Sequence, residues 1–143
     1  MPNPFYSAEP YGLHAGLALV RIVTGAFMLY HGLELFDADK IKGYGQWLSD
    51  LTFPAPVLMA YLGKGAELAG GILLILGLFT RSAALLIAVT MLTVCFFMGS
   101  GKVFTDDQHP FLFVLLAALF FFTGPGKWSL DHFFFSPKKQ SQG

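Results

Sequence analysis

The stretch SAALLIAVTMLTVCFFM, from Ser82 to Met98, contains no charged residue, no proline and no glycine, and its reading decides the fold. Crossing the hydrocarbon of a bilayer takes about 20 helical residues, and this run alone covers most of that thickness. Three further apolar stretches accompany it, at about Leu13 to Leu35, Val57 to Phe79 and Pro110 to Gly126. The last is short and Phe-rich; it either continues through Gly124-Pro125-Gly126 toward Trp128 or begins before His109. No stretch alternates polar and apolar residues in the manner of an outer-membrane strand. The sequence therefore predicts an all-α membrane protein, an antiparallel bundle of four transmembrane helices. Its spans are expected at 13–35, 57–79, 82–98 and 110–126, in a single domain over residues 1–143.

Composition points the same way. Of 143 residues, 55% are hydrophobic, 16% aromatic and only 13% charged, against roughly 25% charged in an average soluble domain. The mean hydropathy is +0.60. So little charge suits a lipid solvent, and the bilayer is the first partner the composition demands. Nine Lys and Arg balance nine Asp and Glu, so no basic face is available and nucleic acid is excluded as a partner. The single cysteine, Cys95, excludes an internal disulfide, a CxxC pair and a cysteine-based zinc or iron–sulfur site within this chain. Buried in mid-span, its thiol is expected to pack and stay inert.

The first residues, MPNPFYSAEP, lack a basic region and carry three prolines, so the first span is expected to serve as an uncleaved anchor. An even number of spans puts both termini on one side, with Arg81, Lys127, Lys138 and Lys139. Lys40, Lys42 and Lys102 fall on the other. The balance favours cytoplasmic termini. The tail from His132 to Lys139 reads as an interfacial anchor, aromatics at the headgroups and lysines in water. Between the first two spans lies the one long connection, Phe36 to Pro56, in which Gln46 to Leu51 is expected to form a short interfacial helix. The turn at Thr80-Arg81 is minimal, so the second and third spans should be antiparallel neighbours.

Ionisable residues inside the membrane cost about 2.5–3.5 kcal/mol each on insertion scales, and persist when they pair or face a cavity. Five concern us. At 1.5 Å per residue, an end-to-end alignment of the first two spans places Arg21 and Glu67 within about 6 Å in depth. Lys64 lies a turn from Glu67 on the same face, and His31 and Glu34 come near the level of Lys64. Two readings follow. In one, Arg21–Glu67 and Glu34–Lys64 are ion pairs that fix helix register. In the other the set lines a polar pocket: Glu67 and His31 handle protons as catalytic groups, while Arg21, Lys64 and Glu34 bind substrate. The small residues Gly70 and Gly71 leave room for a ligand or let the helices approach closely. A bis-His haem site from His31 and His109 stays open, although an interfacial His109 is the simpler reading. A metal site at Asp106, Asp107 and His109 is equally weak, since such acids are usually solvated or cap the next helix; no metal is expected. No Gly-rich nucleotide fingerprint is present.

Three motifs carry a family resemblance. The string Leu19-Val20-Arg21-Ile22-Val23-Thr24-Gly25, followed by His31-Gly32, resembles the first span of the DoxX family. The stretch from Glu67 to Arg81, ELAGGILLILGLFTR, is similar to that family's most recognisable segment, and Gly124 to Asp131, GPGKWSLD, to its closing motif. The resemblance implies a multi-pass, four-helix protein of the bacterial inner membrane. It also implies a subunit or partner of a redox system, quinone-linked or serving oxidative-stress and detoxification chemistry. The residues carried over are Arg21, His31, Glu67, Gly70, Gly71, Arg81 and the closing segment. The family pattern places a Glu near the start of the fourth span, where this chain has Asp107, Gln108, His109 and Pro110. The resemblance also touches the wider class of four-helix membrane dithiol enzymes such as vitamin K epoxide reductases, whose chemistry a chain with a single cysteine cannot run alone.

The functional expectation is a membrane subunit of a quinone-linked oxidoreductase drawing electrons from a soluble redox partner. Quinone is the expected ligand, with haem and flavin left open. Two alternatives stand beside it. One is a non-enzymatic anchor or assembly partner that docks a soluble enzyme through Trp47 or the closing segment; the other is a small-solute transporter. A homo-oligomer would be served by the Gly12-x-x-x-Gly16 spacing.

Overall fold

In the computed structural model, which describes residues 3–137, the chain is helical and the described residues form no strand. Helix α1 (Leu13–Gly32) runs on through a 3-10 turn, Leu33–Phe36. Helix α2 (Ala38–Asp50) follows, then α3 (Pro56–Leu76) and α4 (Thr80–Thr93), which passes into a π-helical turn, Val94–Met98. Helices α5 (Gln108–Thr123) and α6 (Leu130–Phe135) complete the chain. Leu13–Phe36, Pro56–Leu76 and Thr80–Met98 are long and apolar enough to cross a membrane, and α5 is a shorter apolar helix.

The elements begin and end where backbone chemistry requires. Pro56 opens α3 at a position whose missing N–H would be unpaired anyway. Gly77 closes it in the left-handed conformation, φ 66°, with Leu78 N–H donating to Leu73 O at 3.0 Å and Gly77 N–H to Leu74 O at 3.2 Å. This is a Schellman closure. The turn between the second and third spans is therefore Gly77–Phe79, and Thr80 and Arg81, expected to form it, make the first turn of α4. The fourth helix starts before His109, at Gln108, and stops at Thr123 instead of running to Gly126. Gly124 takes φ 73° and Pro125 follows, so the chain turns back there. The connection expected to hold only Gln46 to Leu51 as helix is helical over Ala38–Asp50, because the Asp37 side chain accepts from Asp39 N–H and Lys40 N–H and caps it early.

Around the bundle the order is α1, α3, α4, α5, and α2 lies across the N-terminal half of α3. Lipid tails are as apolar as leucine, so helix association rests on close packing and polar contacts. Glycines supply the closeness between α1 and α3. A Cβ on Gly25 would sit 2.7 Å from Gly71 O, and one on Gly32 would overlap the backbone of Leu68. Facing α4, Gly70 has no room for a Cβ against Ile87. A core of Met28, Leu74, Ile87, Met91, Phe113 and Phe120 fills the centre, and Ile41, Leu48 and Ala60 make a smaller one under α2. Cys95 is buried, as expected of a packing thiol. Phe113 and Phe120 face the core, while Phe96, Phe97, Phe121 and Phe122 face outward. Phe133, Phe134 and Phe135 lie exposed on α6, whereas Lys138 and Lys139 fall outside the described residues.

Candidate functional site

The close fit of glycines sets the register of α1 against α3, and this register separates Arg21 from Glu67. Arg21 lies beside Gly77, and Gly32 beside Leu68. Arg21 and Glu67 are thus about 15 Å apart along the helices; the expected Arg21–Glu67 pair does not form. Aligning the ends of the apolar stretches missed a shift imposed by Gly25, Gly32 and Gly71.

Arg21 instead holds the closing segment. Its Nη1 donates to Pro125 O at 2.9 Å and its Nη2 to Trp128 O at 2.8 Å. Asp131 completes the lock by accepting from Phe79 N–H at 2.7 Å and Thr80 N–H at 2.8 Å, the first amides of α4. A carboxylate there also complements the positive end of the helix. Arg81 joins from the other side, Nε donating to Phe121 O at 3.0 Å. Arg21 is 1% exposed and its role is to bind main chain. Its Nε and the Thr80 hydroxyl are buried without a partner among the described residues.

The other charged residues converge at the opposite end of the bundle. Lys64 Nζ lies 2.9 Å from Glu67 Oε2 and 2.9 Å from Glu34 Oε2, and sits 4.7 Å from the centre of the Tyr44 ring. The expected Glu34–Lys64 pair is thus present within a larger network. Glu34 Oε1 pairs with Lys40 Nζ at 2.8 Å, and Tyr44 OH donates to Glu34 at 2.7 Å. Burial, and then this hydrogen bond, push the Tyr44 phenol above its ordinary pKa; the Glu34 carboxylate raises that of the Lys40 ammonium. Exposure grows along the row: side chains of Glu67, Lys64, Glu34 and Lys40 are 8, 13, 17 and 52% exposed. One end of the row is buried in the bundle and the other reaches the surface.

The buried end borders a cavity of about 220 Å³. Glu67, Lys64 and His31 line it, together with Tyr44 and Trp47 from α2 and His109 from α5. Met28, Met59, Met91 and Met98, every methionine beyond Met1, line the same space. Unbranched thioethers adapt to irregular shapes and favour contact with aromatic rings. The His31 and His109 rings stand 5.9 Å apart, centre to centre, and His109, itself exposed, borders the cavity. Lys64 is occupied by two carboxylates and a ring. Glu67 Oε1 and the Trp47 indole N–H carry no hydrogen bond among the described residues, so the groups free to meet a ligand include these two and the imidazoles of His31 and His109. Gly70 and Gly71, expected to line the pocket, are consumed by helix contacts.

Among the described residues, no three His, Cys, Asp or Glu side chains are grouped to hold a metal ion. Asp107 does not cap α5 with its side chain. It accepts from Ser100 N–H at 3.0 Å and Lys102 N–H at 3.0 Å, and these donors, that of Lys102 foremost, hold its carboxyl below the usual carboxylate range. At the start of α5 the cavity therefore meets an imidazole, not a carboxylate. Sequence reasoning missed Tyr44 and the four methionines as wall groups. The methionines are spread over three spans, and only their rarity elsewhere in the chain could have flagged them.

The sequence model of the family described as DoxX matches residues 16–100. An uncharacterized protein of Haemophilus influenzae is 35% identical over 126 residues, covering 83% of this chain and 90% of that protein. The protein of Bacillus subtilis named "Putative oxidoreductase CatD" is 30% identical over 125 residues, covering 87% of this chain and 90% of its own length. An uncharacterized membrane protein of Mycobacterium tuberculosis is 29% identical over 144 residues, with 85% of each chain covered. No solved structure matches the chain significantly.

Proposed function

This chain belongs to the DoxX family of membrane proteins, and from that premise we propose that it is a quinone-reactive subunit of a redox system in the bacterial inner membrane. The observation that carries the reading is the cavity. It offers an aromatic and thioether wall for a flat ring, with a carboxylate oxygen and two imidazoles at its edge. A relative whose name contains the word oxidoreductase supports it.

The fit to a quinone ring rests on the size and chemistry of that wall. A quinone supplies a two-electron, two-proton couple. Trp47 and the methionine side chains would hold the ring by contact, and His31 and Glu67 would meet its oxygens. Lys64 positions Glu67, so the substrate-binding role expected of Lys64 passes to the groups it holds. Glu67 and His31 handle the protons, and the row Glu67–Lys64–Glu34–Lys40 connects Glu67 to the surface at the α2 end. The electrons come from a soluble redox partner. Arg21, expected among the ligands of the substrate, acts on the closing segment instead.

The test is to purify the protein in mild detergent, extract its small molecules for mass spectrometry, and measure quinone-dependent turnover with the soluble fraction of the host cell as electron donor. A co-purifying quinone, with turnover lost in a folded Glu67→Gln variant, supports the reading. No bound quinone and no quinone-dependent turnover in the wild type refutes it.

A further inference from the structure

The seam between α1 and α5 is open: these two helices scarcely touch, although each packs closely on its other neighbour. Along it runs a groove of about 480 Å³ whose walls are Val20, Val23 and Phe27 on one side and Leu112, Leu116 and His109 on the other. Apart from His109, the polar group there is Thr24, whose hydroxyl already donates to Val20 O at 2.7 Å. The groove thus offers a ligand almost nothing but hydrocarbon contact. It extends for about 12 Å along α1 at 1.5 Å per residue, and faces outward where the spans meet lipid.

His109 belongs to both spaces. It lines the groove and the cavity at the α2 end, with its ring 5.9 Å from His31 on one side and 5.1 Å from Phe113 on the other. Groove and cavity therefore adjoin, and the imidazole of His109 borders both. Their sizes differ in a way that matters. Sites for drug-sized ligands occupy about 300–1,000 Å³; the cavity, at about 220 Å³, holds one substituted ring and no more.

Resting on the quinone reading above, we propose that the ligand is a tailed lipid quinone that enters sideways from the bilayer, its ring seated in the cavity and its isoprenoid or alkyl tail lying in the α1–α5 groove past His109. A phospholipid acyl chain would fill the same groove, but it would place no ring beyond His109. In lipid the tail gains little affinity from the groove, because surrounding hydrocarbon is an equal solvent. What the groove supplies is an exit. Filling it should exclude a tailed quinone and spare a tailless one.

The experiment follows quenching of Trp47 fluorescence in the full-length protein carrying Trp128→Phe, which leaves one tryptophan. The probes are a dimethoxy-methyl-benzoquinone and the same ring bearing a decyl chain. In this background both bind. Adding Val23→Phe and Leu116→Phe together should weaken the decyl form by about tenfold or more and the tailless form by less than about twofold, the scale of one overpacked contact. Ile22→Phe, equal bulk on the same helix but off the groove wall, should change neither. Equal weakening of both forms, or of neither, overturns the proposal. If the tailless ring binds and the decyl form never does, the proposal falls while the quinone reading stands; if neither binds, both fall. Should the double variant fail to fold, the unaltered protein is labelled with a decyl quinone carrying a diazirine at the chain end. Label on residues 19–27 and 112–116 supports the assignment, and label on α3 or α4 refutes it.

Discussion

Replacing Lys64 by methionine tests the network at the α2 end most directly. The substitution keeps an unbranched chain of similar length and removes one positive charge from between two carboxylates. Glu34 is left with Lys40 and Tyr44; Glu67, 8% exposed, is left with no partner among the described residues. Removing one partner of a buried pair costs about 3–5 kcal/mol, chiefly because the other charge is stranded. The loss of the ammonium above the Tyr44 ring adds about 0.5–1 kcal/mol. The cost should therefore follow Glu67 and not Glu34. In Lys64→Met/Glu67→Gln the stranded charge is gone, and stability should return to within about 1–2 kcal/mol of wild type. In Lys64→Met/Glu34→Gln the Glu67 carboxylate is still unpaired, and most of the loss should persist. Reversible unfolding in mixed micelles of mild detergent and dodecyl sulfate, followed by circular dichroism, measures all four proteins. Equal rescue by the two double variants, or a loss below about 1 kcal/mol for Lys64→Met alone, a value typical of exposed pairs, would refute the reasoning.

Three further outcomes are expected. Gly32→Ala drives a methyl into the backbone of Leu68 and should destabilise by about 1–3 kcal/mol or more, whereas Gly16→Ala, which meets open space, should be neutral or stabilising by about 0.5–1 kcal/mol; thermal melts of the two variants compare them. Asp131→Ala removes both acceptors at the start of α4 and should cost about 1–2 kcal/mol, with faster hydrogen exchange at the Phe79 and Thr80 amides. Because the Asp107 carboxyl is held below its ordinary range, its contribution is complete above the unfolded value of about 3.9 and is lost as pH falls through the lower folded value. Exchange at Ser100 and Lys102 should rise on acidification below about pH 4, and Asp107→Asn should abolish that pH dependence.

How much of this was legible in the sequence depends on which force wrote each part. Hydrocarbon thickness wrote the spans, and an apolar run such as Ser82 to Met98 shows them directly. Capping chemistry wrote their ends: Gly77 and Gly124 could be read as stops only by asking which glycines take positive φ, and without that the turns were misplaced by a few residues. The register of α1 against α3 was written by steric fit between Gly25, Gly32 and Gly71. Periodicity carries no information about depth along a neighbouring helix, so it cannot show that Arg21 stands about 15 Å from Glu67 along the helices. Lys64, Glu67 and Glu34 were identifiable because charge in a span demands a partner. Tyr44 and the four methionines raise no such demand, and only the folded chain brings them to one wall.

The two polar ends of the bundle differ in what their groups have left to offer. At one end both Nη nitrogens of Arg21 and both Asp131 oxygens are spent on main-chain atoms, and the result is a clamp that ties residues 125–131 to the α3–α4 turn. Removing charge there should alter stability first and chemistry only through loss of fold. At the other end Lys64 is saturated, but one Glu67 oxygen and the imidazoles of His31 and His109 border open volume. Buried polar groups normally find partners, and charge inside a span is kept when it pairs or faces a cavity. An arrangement that spends Lys64, Glu34, Tyr44 and Lys40 to hold one carboxylate beside an aromatic cavity is difficult to explain as register alone, since the glycine contacts already fix the register. The same residues that make the α2 end costly to build are therefore the ones whose substitution should separate function from fold.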